Sequence, residues 1–221
     1  MSDPRSTTAH LESYYAKRAR EYEQVYEKPE RQRELAWLRE RIPRLFAGRT
    51  VLEVACGTGY WTQFIAPVAH RVYAGDINEA VLEIAREKPI APGKVTFMKA
   101  DAVTLEGAPT GCNAAFAGFW WSHVKKSGLR QFVANLSARL EPGSVVGILD
   151  NAWAPGSSTP LSRTDAEGNT YQVRTLASGE QQEVLKNFPT PAELTEAVRP
   201  VAREANLESL TYYWLLVFTL R

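Results

Sequence analysis

Residues 51–62, which read VLEVACGTGYWT, decide the fold. An apolar run suited to a buried parallel strand leads into a turn of small residues, and a helix-like segment follows. Gly57 and Gly59 would let the backbone come close to a ligand, because no side chain blocks the approach. The first turn of a helix also offers free N–H groups and the positive end of the helix dipole. We therefore predict a ligand site at the carboxyl end of this strand.

The segments around this stretch alternate between strand-like and helix-like patterns. Apolar runs predict further strands over 71–75, 94–99, 114–119 and 144–149, and helical spacing predicts helices over 60–68, 78–87 and 128–140. Two helices are expected earlier, over 11–27 and 30–45. Such alternation is typical of an α/β fold with a mostly parallel sheet and helices on both faces.

The pattern changes after Asp150. Residues 154–169 are rich in Pro, Gly, Ser and Thr, and 170–176 with 181–187 predict a β-hairpin. Thr190 and Glu193 form a capping-box signature, so we expect a helix from there to about Arg203. Two strand-like segments, 207–210 and 211–220, end the chain. The insertion at 151–189 would cover the ligand site, form a dimer contact or be decorative, and the sequence does not rank these roles.

Composition narrows the class of protein. The 221 residues fit one domain, 1–221, with N-terminal helices over 1–47. A formal net charge of +1 gives no bulk attraction for nucleic acid or an anionic membrane. Cys56 and Cys112 form no CxxC pair and no zinc-ligand cluster, so we expect no metal site and a reducing, cytoplasmic location. We expect a monomer or a homodimer acting on a small molecule.

Three acidic residues follow successive predicted strands or lie within them. Glu53 precedes the glycine turn, Asp76 ends the second strand, and Asp101 follows the third. A carboxylate at Glu53 would repel a pyrophosphate but could accept hydrogen bonds from an ammonium group. Asp76 could accept both ribose hydroxyls, as the equivalent acid does in dinucleotide folds. The acids favour an amino-acid-bearing nucleoside such as S-adenosylmethionine (SAM) over NAD, and no P-loop lysine follows the turn.

Together, the glycine turn and the three acids resemble the SAM-binding motifs of class I methyltransferases. The broad ubiquinone/menaquinone-biosynthesis-like group of small-molecule methyltransferases is the most similar. The resemblance implies a Rossmann-like seven-stranded sheet whose last strand is antiparallel, with an N-terminal helical lid over the cofactor. The cofactor-binding residues it implies are Tyr15, Glu53, Ala55, Cys56, Gly57, Gly59, Trp61, Thr62, Asp76, Ile77, Asp101, Ala102 and Phe119.

The acceptor pocket is expected beside the end of the fourth strand, where Phe119-Trp120-Trp121-Ser122-His123 follows. Trp120 and His123 are candidates to line it, and His123 could take a proton from the acceptor. An equally supported alternative is that the tryptophans belong to the core and His123 packs or caps. The tyrosines of the first helix, Tyr22 above all, could cover the substrate or the sulfonium charge, or could simply pack.

The sequence thus predicts a SAM-dependent methyltransferase acting on an N, O, S or C atom of a small molecule. Methyl transfer needs mainly proximity and alignment, so a general base is not required by the chemistry. Two alternatives stay open at this stage. One is an NAD(P)-dependent oxidoreductase on a similar sheet, and the other is a non-catalytic SAM-binding module that regulates a partner.

Overall fold

A seven-stranded sheet forms the centre of the molecule. The computed structural model describes residues 19–176 and 178–221, with the side chains of residues 19–22 left out. The strand order is β3-β2-β1-β4-β5-β10-β9, and β10 runs antiparallel to both of its neighbours. The strands are β1 Thr50–Val54, β2 Arg71–Asp76, β3 Val95–Lys99, β4 Cys112–Gly118, β5 Leu140–Asn151, β9 Ala202–Ser209 and β10 Tyr213–Leu220. This architecture confirms the predicted fold class.

Both faces of the sheet are covered by apolar side chains, which is why the central strands are almost continuously hydrophobic. Leu52 and Val54 of β1 belong to one buried cluster, with Phe132 of a later helix. Val51 points the other way, into a second cluster that includes Leu38 and Phe46. The period-two alternation of a strand therefore places helices on opposite sides of β1.

Within the described residues, five α-helices surround the sheet: α1 Gln32–Leu45, α2 Thr62–Ile65, α3 Glu79–Arg86, α4 Leu129–Ser137 and α5 Pro191–Val198. Short 3-10 helices span Ala19–Tyr26, Pro29–Arg31, Trp121–His123 and Lys126–Gly128. Asn78 caps α3 by accepting the N–H of Ala80, and Thr190 with Glu193 forms the predicted capping box. None of the helices in the described part of the chain is long and apolar enough to cross a membrane.

Several predicted boundaries are wrong. The helix expected over 60–68 is one short turn, α2, because the chain turns back at once to begin β2. The helix expected to reach Arg203 ends at Val198, since Ala202–Ser209 pairs with β10 as an edge strand. The stop expected at 141–143 lies inside β5, which pairs with β4 at Leu140, shifts register and resumes at Val145.

The insertion after β5 is a small three-stranded sheet rather than a simple hairpin. β7, Thr170–Thr175, pairs with β8, Gln181–Leu185, as predicted, and β6, Arg163–Thr164, adds a short third strand. Asn187 attaches this sheet to the segment after β4, because its N–H donates to Ser122 O at 2.8 Å. The insertion is therefore positioned over the carboxyl ends of β4 and β5.

Candidate active site

The glycine turn after β1 follows a backbone path that few side chains tolerate. Ala55, Gly57 and Gly59 have φ values of 52°, 56° and 76°, which lie in the left-handed region. A Cβ on Gly59 would lie 3.1 Å from Ala85 Cβ in α3. Glycine at 59 therefore allows α3 to pack directly on the turn, as well as allowing the bend itself.

Glu53 is the buried acid of this site. Its side chain is buried, and Oε2 has no hydrogen-bond partner among the described residues. Burial raises the pKa of Glu53 to about 8, because the charged form loses its hydration. Glu53 lines a small cavity with Ala55, Cys56, Gly57, Tyr26, Tyr60, Trp61 and Gly118. An acceptor left without a donor at the wall of a cavity is a feature that a ligand donor would satisfy.

Asp76 ties the end of β2 to the turn. Its Oδ2 accepts the N–H of Gly57 at 2.9 Å, and its Oδ1 accepts the N–H of Asn78 at 2.9 Å. The same carboxylate thus orients the glycine turn and the start of α3. A carboxylate has further lone pairs on both oxygens, so these bonds leave it able to accept ligand hydroxyls.

Asp101 is arranged differently from the other two acids. Its Oδ1 accepts the N–H groups of Val103 and Thr104, both at 2.7 Å, which stabilises the turn after β3. Ala102 is buried in the core cluster, and Ile77 is half-buried beside Asp76. The structure therefore gives Asp101 a local structural role and leaves its role in adenine binding a prediction.

Two polar atoms next to Glu53 also lack partners. Trp61 Nε1 and Thr62 Oγ1 are buried with no hydrogen-bond partner in the described part of the chain. Cys56 is buried in the same turn, and its burial, together with the nearby acids, raises the pKa of the thiol. The thiol is therefore held protonated, which agrees with a packing role rather than a nucleophilic one.

The segment before α1 is attached to the glycine turn. Thr58 Oγ1 donates to Glu23 Oε1 at 2.8 Å, and Lys88 Nζ donates to the same oxygen at 2.6 Å. The Tyr26 ring stacks on the Tyr60 ring with centroids 3.5 Å apart. These contacts hold the 3-10 helix Ala19–Tyr26 over the site. Tyr14, Tyr15 and the side chain of Tyr22 lie outside the described residues.

A second, larger cavity lies beside the first and shares Tyr26 with it. Phe119, a predicted cofactor-binding residue, and His123, a predicted acceptor-pocket residue, both line this cavity. Trp120 is not among the described residues that line either cavity. It packs against the core cluster instead, with its ring centroid 6.4 Å from that of His123.

His123 is held as a neutral imidazole. Its Nδ1 lies 2.8 Å from Leu185 O, and a carbonyl oxygen can only accept, so Nδ1 carries the proton. Burial and the nearby Lys186 lower the pKa of His123 to about 3. The ring can accept a hydrogen bond, but it is a weak base at neutral pH.

Lys186, which lines the same cavity, belongs to a buried ion pair. Lys186 Nζ lies 3.0 Å from Asp150 Oδ1 and 2.6 Å from Ser122 Oγ. Asp150 lies near the end of β5 and also accepts the N–H of Ser122 at 2.9 Å. Asp150 could have been chosen from the sequence as a site candidate, because it lies near the end of a strand, as Asp76 does. Nothing local in the sequence indicates Lys186, Glu23 or Arg31, which the tertiary fold brings to the site.

Comparison with known proteins agrees with this geometry. Residues 51–143 match a family model described as a methyltransferase domain. A probable S-adenosylmethionine-dependent methyltransferase of Mycolicibacterium smegmatis is 28% identical over 177 residues, which are 77% of this chain and 63% of that protein. A demethylmenaquinone methyltransferase of Clavibacter sepedonicus is 26% identical over 163 residues, 74% of this chain and 63% of that protein. The chain therefore spans 63% of the length of each of these relatives.

Among solved structures, the DhpI–SAH complex superposes with a TM-score of 0.79 at 25% identity, covering 99% of this chain and 98% of that one. The similarity thus extends beyond the matched domain and includes the insertion. The glycine turn, the strand-end acids and the sheet order thus occur in a chain whose residues 51–143 match a methyltransferase domain and which is similar over most of its length to these relatives.

Proposed function

We propose that the protein binds SAM at the turn after β1 and transfers its methyl group to a small-molecule acceptor in the larger cavity. The observation that carries the proposal is Glu53, a buried carboxylate with an unpartnered oxygen on the wall of the turn cavity, as judged over the described residues. A ligand ammonium group would supply the missing donor and the missing countercharge. A pyrophosphate would instead meet a buried acid, which disfavours a dinucleotide.

The residues of the turn would hold the different parts of SAM. Glu53 would accept hydrogen bonds from its amino group, and Asp76 would accept from the ribose hydroxyls. Asp101 with the N–H of Ala102 would bind the adenine edge. The backbone at 55–59 would lie against the ligand, with Trp61, Thr62, Ile77 and Phe119 around it. Tyr15 and Tyr22 keep their predicted covering role as a proposal.

When bound, SAM supplies an activated methyl group on a sulfonium centre. The protein contributes position: Tyr26 borders both cavities, so an acceptor in the larger one would lie next to the cofactor site. Attached through Glu23 and Thr58, the Ala19–Tyr26 helix would exclude water from this junction. Because His123 is a weak base, its expected contribution is to orient the acceptor through a hydrogen bond rather than to remove a proton.

Location and partners are also part of the proposal. Cys56 and Cys112 are both buried free thiols, which fits the reducing cytoplasm predicted from the sequence. The near-neutral net charge supports a small-molecule partner over nucleic acid. A monomer and a homodimer are both compatible with these observations.

The proposal is tested by calorimetric titration of the full chain with SAM, S-adenosylhomocysteine and NAD in parallel. We expect micromolar binding of the first two and no binding of NAD. Binding of NAD without SAM would support the oxidoreductase alternative and overturn the proposal. Tight SAM binding with no turnover across N, O, S and C acceptors would support a non-catalytic SAM-binding module instead.

A further inference from the structure

The larger cavity has an unusual balance of charge. Among the described residues that line it, four are cationic side chains, Lys28, Arg31, Arg174 and Lys186, and none is a carboxylate. The other lining residues are neutral polar groups or aromatic and aliphatic side chains. Two acids lie close by, and each has a partner: Asp150 pairs with Lys186, and Glu30 Oε1 accepts from Ser157 Oγ at 2.6 Å.

Arg31 is the most informative of these cations, because its side chain is buried. Its Nε donates to Ser157 Oγ and its Nη1 to Asn151 Oδ1, both at 3.0 Å. The guanidinium also lies over the rings of Tyr212 and Tyr213, 5.2 and 5.5 Å from their centroids. These partners are neutral. A buried cation is normally paired with an anion, and no carboxylate within ion-pair distance of Arg31 occurs among the described residues.

Arg174 faces the same space from the insertion. Its Nη1 donates to Thr159 Oγ1 at 3.0 Å and its Nη2 to Gln172 Oε1 at 2.6 Å, so its partners are neutral too. These bonds hold the guanidinium in place and leave other N–H groups for a ligand. Lys28 Nζ is at the exposed edge and donates to Ser157 O at 2.6 Å.

The cations are close enough to affect one another. Burial lowers the pKa of Lys28, and repulsion from Arg31 and Arg174 lowers it further, against the attraction of Glu30. Burial also lowers the pKa of Lys186, where Asp150 opposes the effect and Arg174 and Arg31 add to it. His123 is neutral and adds no charge. An anion in the cavity would relieve this repulsion.

We infer that the cavity selects acceptors that carry a small oxyanion, a carboxylate or a phosphoryl group, which Arg31, Arg174 and Lys28 bind. The inference rests on the proposed methyl transfer and specifies the acceptor class for that same site. Guanidinium groups match the geometry of both oxyanions, and fixed donors such as these give bidentate contacts. The insertion therefore determines specificity, since it supplies Arg174, and Tyr26 would separate the anion site from the cofactor site.

The test is calorimetric titration of the full chain, saturated with S-adenosylhomocysteine, with inorganic phosphate, acetate and the neutral amide acetamide. We expect one or both anions to bind and acetamide not to bind. Stronger binding of phosphate would assign a phosphoryl group, and stronger binding of acetate would assign a carboxylate. Absence of anion binding to protein that still binds S-adenosylhomocysteine would overturn the inference and leave the proposed function intact.

Variants separate a specific site from general surface charge. Arg174→Gln should weaken anion binding at least about tenfold, the loss of one charge-assisted hydrogen bond, and Lys28→Gln should weaken it by less, because solvent screens an exposed charge. Lys28 is exposed, so its variant should fold even if others do not. Arg163→Gln is the matched control, because Arg163 lies in the same small sheet but pairs with Glu183 outside the cavity. Equal anion affinity in all three variants would contradict the inference.

The anion-binding inference and the methyltransferase proposal can be refuted separately. Anion binding without binding of SAM or S-adenosylhomocysteine would leave the anion site standing and overturn the methyltransferase proposal. In the acceptor screen, acids should be methylated while their amides are not. Equal turnover of acids and matched amides would overturn the inference while supporting methyl transfer itself.

Discussion

Asp76 Oδ2 accepts the N–H of Gly57 at 2.9 Å, so the acid at the end of β2 fixes the glycine turn at the end of β1. Asp76, which we propose binds the ribose hydroxyls of the cofactor, therefore also shapes the glycine turn. We therefore expect Asp76 to be the single position at which substitution most weakens cofactor binding.

Replacement of Asp76 by alanine should remove both roles at once. We expect affinity for S-adenosylhomocysteine to fall more than about tenfold, since hydrogen bonds to a charged group contribute roughly 1.5–3 kcal/mol. Asp76→Asn keeps one acceptor oxygen and should fall between the alanine variant and the wild type. Calorimetry measures the affinity, and thermal unfolding shows whether the fold survives. Unchanged affinity in a folded Asp76→Ala protein would refute the site assignment.

Asp101 offers a comparison, because its Oδ1 is used by the turn after β3. If Asp101 also binds adenine, Asp101→Asn should weaken S-adenosylhomocysteine binding without changing the turn at Gly57. A loss of stability with unchanged affinity would assign it the local role alone.

The parts of the fold that are predictable from sequence share a physical origin. Buried strands and the turn at 55–59 depend on local composition and periodicity, and the capping box at Thr190 depends on residues three apart. The end of α5 at Val198 depends on pairing of Ala202–Ser209 with a strand that comes later in the chain. Tertiary pairing of this kind overrides local helix propensity.

The site shows the same division. Glu53, Asp76 and Phe119 can be chosen as candidate site residues from the sequence, because each lies within a strand or at its end. Open α/β sheets bind ligands at the carboxyl ends of their strands. Trp120 is assigned to the pocket by sequence position alone, and its packing against the core shows that neighbours on a turn point in different directions. The four cations of the larger cavity come from segments more than a hundred residues apart, such as Arg31 and Lys186. No local pattern could have joined them.

Glu53 provides a pH-dependent prediction. Burial raises the pKa of Glu53 to about 8 in the folded chain, and in the unfolded chain it lies near the ordinary value of about 4.3. The folded state therefore holds a proton that the unfolded state has lost between these two pH values. Stability of the ligand-free protein should thus fall as pH rises from about 4.3 to 8.

Glu53→Gln should remove this pH-dependent loss. The melting temperature of Glu53→Gln minus that of the wild type should be larger at pH 8 than at pH 5. The increase should be about 2–4 °C for each kcal/mol of stability recovered in a chain of this size. Its affinity for S-adenosylhomocysteine should decrease, because the countercharge for the amino group is gone. A stability difference that does not change with pH would contradict the buried acid, whatever the affinity shows.

The attachment of the Ala19–Tyr26 helix gives a kinetic prediction. Glu23 accepts from both Thr58 and Lys88, and Thr58 is buried. Glu23→Ala should release the helix and increase the dissociation rate of S-adenosylhomocysteine several-fold, with a smaller effect on the association rate. Stopped-flow fluorescence measures both rates. Lys88→Met is the control for the ion pair alone, which should matter little. Equal dissociation rates in Glu23→Ala and the wild type would show that this helix does not retain the ligand.

His123 gives a prediction about proton transfer. A general base contributes about 10²–10⁴-fold to rate, but a histidine with a pKa of about 3 is poorly suited to that role. We therefore expect the profile of kcat against pH to show no ionisation of His123 between pH 5 and 8. His123→Asn should lower kcat by less than about a hundredfold. A larger loss, with an ionisation near pH 6.5 that the variant lacks, would restore His123 as the base.

The buried pair of Asp150 and Lys186 gives a stability prediction. Lys186→Met leaves the Asp150 carboxylate buried without its cation, and breaking such a pair by removing one partner costs about 3–5 kcal/mol. The double variant Asp150→Asn with Lys186→Met removes both charges, while the amide oxygen that replaces the carboxylate still accepts the Ser122 N–H. We therefore expect the double variant to be more stable than Lys186→Met, as measured by urea unfolding. If the single and the double variant lose the same stability, the charge of Asp150 is not what Lys186 stabilises. The Lys186→Met substitution would then destabilise the protein only through lost packing and the lost hydrogen bond from Lys186 to Ser122 Oγ.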